Sequence, residues 1–224
     1  MKKYLLLLLM GVATFAQEKP KFGINLGSTF SNIRESDSNS EEDFFYENTK
    51  YDLNFLVGVS MELPLGEKFS LLGNVNYERK TFKKTKNLDE LFLPNPDDPN
   101  FNQDRTVDMK QRLEYITIPI NLKYYLDAQK RFYVNGGPFI GFFLNSNLKT
   151  EGKNVNDNGD SIFKTLDFGA NLGIGTNFKI NEKNSLNLEL RHNYGFVNIA
   201  DFNYNDTKLK TNSFNLIANW QFDL

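Results

Sequence analysis

The sequence predicts an all-β protein, an eight-stranded antiparallel up-and-down transmembrane β-barrel. Three observations predict it. Eight segments of the 224-residue chain alternate apolar and polar residues, the period of two that gives a strand two unlike faces. The connections between them alternate long and short. The polar positions are mostly Gly, Asn, Ser and Thr, which suit the narrow inside of a small barrel better than a face washed by water.

The first segment, Phe22 to Ile33, sets Phe22, Ile24, Leu26 and Phe30 against Gly23, Asn25, Gly27 and Thr29. The second, Tyr51 to Leu63, sets Leu53, Phe55, Val57, Val59 and Met61 against Asp52, Asn54, Ser60 and Glu62. The third, Phe69 to Lys83, opposes Leu71, Val75 and Tyr77 to Asn74, Asn76, Glu78 and Lys80. The fourth, Arg112 to Leu126, opposes Ile116, Ile118, Ile120 and Leu122 to Tyr115, Thr117, Asn121 and Lys123. The fifth, Arg131 to Leu148, is the least regular, because Phe139 and Phe143 break its parity. The sixth is Leu166 to Ile180, the seventh Leu186 to Ile199, and the eighth Ser213 to Leu224.

Three connections are tight and carry turn residues: 64–68, 127–130 and 181–184. Four are long and polar: about 34–50, 84–110, 149–163 and 200–210. An up-and-down barrel collects the long loops on one rim and the short turns on the other, as outer-membrane barrels do.

The N-terminus reads as a secretory signal peptide over residues 1–16, with the barrel domain over 17–224. Met1-Lys2-Lys3 is a basic start, Tyr4 to Phe15 an apolar stretch, and Ala16 a small residue before the cut. The chain has no cysteine, so thiolate metal sites and disulfides are excluded. A net charge of −2 gives no nucleic-acid surface. Mean hydropathy is −0.49, yet a barrel strand needs only about 9–11 residues, half of them turned from lipid. The 21 Phe and 10 Tyr supply enough rings for aromatic girdles.

On this reading Phe214, Leu216, Trp220 and Phe222 of the last strand face lipid. Charges of opposite parity point inward: Glu62, Glu78, Lys80, Lys123, Asp167, Glu189 and Arg191. They are expected to form a hydrogen-bonded interior network, since an unpaired buried charge is costly. The expected location is the bacterial outer membrane. The alternative geometry is a soluble lipocalin-like barrel with its apolar face inward around a ligand.

The order of motifs resembles the PorT-like outer-membrane β-barrel family of Gram-negative bacteria. Glu114-Tyr115-Ile116-Thr117-Ile118-Pro119-Ile120-Asn121-Leu122-Lys123-Tyr124-Tyr125 is similar to one family strand, and Asn135-Gly136-Gly137-Pro138-Phe139-Ile140-Gly141 to the next. Asp167-Phe168-Gly169 with Gly173-Ile174-Gly175, then Leu188 to Gly195, are similar to the two that follow. The resemblance implies an eight-stranded outer-membrane barrel. One member of that family works in secretion and gliding, so it implies an envelope role without a single activity.

No catalytic residue, metal or cofactor is expected, and no enzymatic activity. His192 is the only histidine. It falls on the outward face between Leu190 and Tyr194 and reads as an interfacial residue. A lipid-modifying enzyme would have to use it. Asn154-Val155-Asn156-Asp157-Asn158-Gly159-Asp160 is similar to the start of a calcium loop, but Thr165 stands where the bidentate acid belongs. Glu35, Asp37, Glu41, Glu42, Asp43 and Glu47 make the first long loop acidic, and it reads as solvated. Prolines at 94, 96 and 99 keep the second extended. Glu189 and Arg191 would be selectivity residues in a small-solute channel, but eight strands leave no open pore. The expected partners are outer-membrane lipid and a protein reached through the loops.

Overall fold

Alternating segments become strands because period-two patterning lets one sheet present unlike surfaces to its two sides. The computed structural model describes residues 19–36, 49–87, 106–154, 162–201 and 208–223. The signal-peptide stretch 1–16, most of the acidic and proline-bearing loops, residues 155–161 of the calcium-like loop and Leu224 lie outside the described residues. The strands are β1 (Lys21–Ser36), β2 (Lys50–Pro64), β3 (Phe69–Asn87), β4 (Thr106–Tyr125), β5 (Phe132–Thr150), β6 (Lys153–Asn154), β7 (Leu166–Lys179), β8 (Asn184–Gly195) and β9 (Lys208–Asp223).

Each long strand pairs antiparallel with its neighbours in the order β4-β3-β2-β1-β9-β8-β7-β5, and a β4–β5 pairing closes the ring. The two-residue β6 only extends the edge of β5. The first and last strands zip without a break from Lys21↔Asp223 to Ser36↔Lys208. Closure removes every long free edge.

Several strands outrun the alternation. β3 continues to Asn87 and β4 starts at Thr106, where Asn87 pairs with Thr106. On the β3 side this arm, Lys84 to Asn87, is polar throughout, so it carries no apolar signal for a strand. Thr85 Oγ1 donates to Asp108 Oδ1 across it at 2.8 Å. At the other extreme β8 stops at Gly195, and Phe196 to Ile199 leave the sheet to turn over the barrel mouth.

The irregular fifth segment has two causes. Phe139 follows Tyr133 and Asn135 onto the inner face and is 2% exposed, an aromatic where small polar residues prevail. Beyond Phe143 the register passes from Tyr115↔Phe143 to Glu114↔Asn145. Leu144 is the extra residue of a β-bulge, which resets the phase of the strand.

Two of the short turns are held by side-chain caps, and the 64–68 turn by Leu65 N–H to Phe69 O at 2.8 Å. Asp127 accepts backbone N–H bonds from Arg131 at 2.8 Å and Phe132 at 2.9 Å, and an Nε–H bond from Arg131 at 3.1 Å. The Phe132 amide, with smaller help from Arg131, holds its carboxyl below the usual carboxylate range. Asn181 caps the last turn through the Lys183 and Asn184 amides.

The outer face is layered. Toward the long-loop rim lie Phe30, Tyr51, Phe214, Tyr194, Phe196 and Phe168, with Phe30 stacked on Tyr51 at 4.9 Å. Toward the short-turn rim lie Phe69, Tyr124, Phe132, Phe178 and Trp220. Between them the exposed side chains are aliphatic: Ile24, Leu26, Val57, Val59, Val75, Ile120, Leu172, Ile174, Leu190 and Leu216. On β1, Phe22 and Phe30 bracket this band across a rise of roughly 20 Å, from about 3.3 Å per residue and a strand tilt of about 40°. No helix of the described residues is long and apolar enough to cross a membrane.

Candidate functional site

The inside of the barrel is where polar chemistry collects. Period two turns one side chain in two from every strand into a lumen too narrow for bulk water. Glu62, Glu78, Lys80, Lys123, Asp167, Glu189 and Arg191 are each no more than 4% exposed. They meet as three ion pairs and one carboxylate held by an amide and a hydroxyl, rather than as one continuous chain.

Near the short-turn mouth, Glu62 of β2 accepts bonds from Lys123 Nζ at 2.9 Å, Tyr125 Oη at 2.6 Å and Gln221 Nε2 at 2.8 Å. Lys123 also lies 4.0 Å from the centre of the Tyr133 ring. Thus β2, β4 and β9 are joined through one carboxylate. Higher up, Glu189 accepts from Arg191 Nε at 2.6 Å, Asn135 Nδ2 at 2.8 Å and Tyr133 Oη at 3.1 Å.

Nearer the long-loop rim, Lys80 Nζ donates to Asp167 Oδ2 at 3.0 Å, and Thr211 Oγ1 donates to the same oxygen at 2.7 Å. Lys80 sits between the Tyr115 and Phe139 rings, 5.0 and 5.1 Å from their centres. Beside it Glu78 Oε1 accepts from Asn215 Nδ2 at 3.0 Å and Ser213 Oγ at 3.3 Å. Charge-assisted bonds of this kind are roughly twice as strong as neutral ones, and burial makes their loss costly.

Two features of the lumen escaped sequence reasoning. The first is an amide ladder. Asn25 donates to Asn74 and Asn76, Asn219 to Asn25 and Ser60, and Asn187 to Asn219, all within 3.1 Å. The recurring inward Asn was the available signal. The second is an apolar cap at the long-loop end. Ile33, Phe82, Leu113, Tyr115 and Leu209 from the wall pack with Phe163, Ile199 and Ala200 from two loops. Those loops are stitched by Lys164 N–H to Ile199 O at 2.7 Å and Asp201 N–H to Ile162 O at 2.9 Å. No sequence signal shows that a loop folds inward.

Below the cap, the gap among Asn25, Lys123, Glu189 and Arg191 measures about 10 Å³, room for about one water. The arrangement can tie together strands that do not pair. Glu189 and Arg191 are spent on each other rather than lining an opening.

On the outer face, Phe214, Leu216 and Trp220 are exposed and Phe222 half-buried. His192 stacks on Phe214 with ring centres 4.4 Å apart, and its Nε2 lies 2.6 Å from Asn212 Oδ1. These neighbours are an amide and rings, the Tyr194 ring among them at 6.0 Å. No group of three His, Cys, Asp or Glu placed to hold a metal occurs among the described residues.

The chain is similar to several solved structures. The neisserial surface protein NspA is 15% identical, with a TM-score of 0.44, over 91% of this chain and 97% of that one. The outer membrane protein OprG of Pseudomonas aeruginosa is 16% identical, with a TM-score of 0.48, over 92% and 98%. AlkL, solved in DMPC bilayers, is 14% identical, with a TM-score of 0.47, over 92% of each. No curated protein matches. Residues 15–201 match the family described as Outer membrane protein beta-barrel domain, and the chain belongs to that family, a barrel of the bacterial outer membrane.

Proposed function

We propose that this chain is a PorT-like outer-membrane barrel with a structural or interaction role. It holds its long loops outside the membrane for a protein partner, such as a secretion or envelope component. One observation carries the reading: the lumen is filled by ion pairs and capped by an apolar cluster centred on Leu113, Tyr115 and Ile199, each fully buried. A packed lumen favours a scaffold over a channel. The loops are then the surface left for recognition.

In the same reading residues 1–16 are a cleaved signal peptide, and Phe214, Leu216, Trp220 and Phe222 face lipid. The two aromatic belts and the aliphatic band between them support that assignment. The chain is not an enzyme in this reading, which the amide-and-ring surroundings of His192 favour.

The test is cross-linking in the native envelope, with each long loop replaced in turn by a short turn. One loop replacement should abolish capture of a defined protein while the barrel keeps its heat-modifiable migration. Steady conductance of the wild type in planar bilayers would sink the reading.

A further inference from the structure

Arg34 and Lys210 are direct partners across the β1–β9 pair. Alternation places both on the outer face, in phase with Phe30 and Phe214. Like charges directly opposite one another destabilise a sheet. Among the described residues no carboxylate forms an ion pair with either one.

Instead Arg34 is aimed. Its guanidinium lies 3.5 Å from the centre of the Tyr194 ring, and Nη2 donates to Gly195 O at 2.6 Å. These contacts hold the planar fork against β8 and leave Nε, which is buried, without a partner. Beneath it the outer face is unusually polar. Asn212 donates to Asn32 and Tyr51, and His192 Nε2 lies 2.6 Å from its carbonyl oxygen.

The position selects the ligand. Arg34 and Lys210 lie four residues beyond Phe30 and Phe214, about 13 Å further along the strands, on the rim that carries the long loops. Beyond the aromatic belt on that rim lies the headgroup zone of the outer leaflet. A guanidinium beside an ammonium matches a phosphate, the one giving directed N–H bonds and the other acting as a point charge.

We propose that Arg34 and Lys210 form a binding site for the phosphate of an outer-leaflet lipid, with Tyr194 and Gly195 orienting the arginine. The inference rests on the reading that the outer face meets lipid.

The test uses full-length protein in neutral nanodiscs with diphosphorylated lipid A as the probe. Lipid retained through detergent exchange is measured by native mass spectrometry. Wild type should retain it on the order of tenfold better than Arg34→Gln/Lys210→Gln. Lys210→Gln alone, which breaks no contact within the described residues, should already lower retention several-fold. Dephosphorylated lipid A should be retained poorly by all three.

Equal retention by the variants, or equal retention of the dephosphorylated lipid, would overturn the site. So would displacement of lipid A by inorganic phosphate at comparable concentration, which would mark a free-anion site. Quenching of Trp220 by brominated lipid separates the two readings. Quenching with equal retention removes the phosphate site alone, while no quenching removes the lipid-facing assignment and the site with it.

Discussion

Lys80 Nζ lies 3.0 Å from Asp167 Oδ2 inside the lumen, although β3 and β7 share no backbone hydrogen bond. The pair ties opposite walls of the barrel. Removing one partner strands a buried charge, at a cost of about 3–5 kcal/mol. Replacing both by apolar residues of similar size is often close to neutral. Lys80→Met and Asp167→Leu should each lower the urea midpoint of the folded band, and the double variant should recover most of the loss. Strictly additive losses would show that the two are not coupled.

Phe139 faces its cross-strand partner Gly169, where a Cβ would come 2.6 Å from the Phe139 ring and 2.9 Å from the Gly195 Cα. Ring and backbone both occupy the space that a side chain needs. Gly169→Ala should therefore cost about 1–3 kcal/mol, as overpacking does. Phe139→Leu in the same chain should return only part of it, because the β8 backbone still crowds position 169. Unfolding titrations followed by gel migration would read both effects. No loss in Gly169→Ala would mean that the wall yields there.

The face that a residue takes is legible in the sequence because the period is two and nothing else is needed to assign it. The partner that it meets is not. Lys80 finds Asp167 across 87 residues, and Glu62 finds Gln221 across 159, distances set by barrel closure rather than by local pattern. Phe139 and Phe143 looked like faults in an otherwise plain alternation. One is an inward ring fitted over a glycine, and the other precedes the bulge at Leu144. Ile199 looked like the end of a strand, yet it leaves the sheet to seal the mouth. Its burial depends on Phe163 and Leu209, which no short-range pattern brings together.

That seal joins loop residues to the barrel wall. Phe163 is 4% exposed in the cap, with its ring 5.9 Å from that of Phe143. Among the described residues, the segment around it is held by Phe143 N–H to Thr165 O, Lys164 N–H to Ile199 O and Asp201 N–H to Ile162 O, with an isolated bridge from Phe163 to Ala200. A buried Phe→Ala change costs about 3–5 kcal/mol where the surroundings cannot relax. Here the loop can lift, so the loss should appear locally. Phe163→Ala should speed proteolysis within residues 162–165 while the midpoint of global unfolding stays near wild type. A matching fall in the global midpoint would make the cap part of the barrel's cooperative unit.

Trp220 gives the outer face a single optical reporter, since the chain has one tryptophan. It is 47% exposed on β9, close to the short-turn rim, and its Nε1–H donates to Asn184 Oδ1 at 3.3 Å. A ring with an apolar body and a tethered polar edge belongs at a membrane interface rather than at the bilayer centre. Lipids brominated near the headgroup should therefore quench Trp220 more strongly than lipids brominated near the chain end. Asn184→Leu removes the tether, along with the Asn184 Nδ2 bond to Asn181 Oδ1 at 3.1 Å in the turn, so it should reduce this difference by letting the ring sample greater depth. Stronger quenching from the chain ends in the wild type would place Trp220 at mid-membrane and shift the registry of the whole barrel against the bilayer.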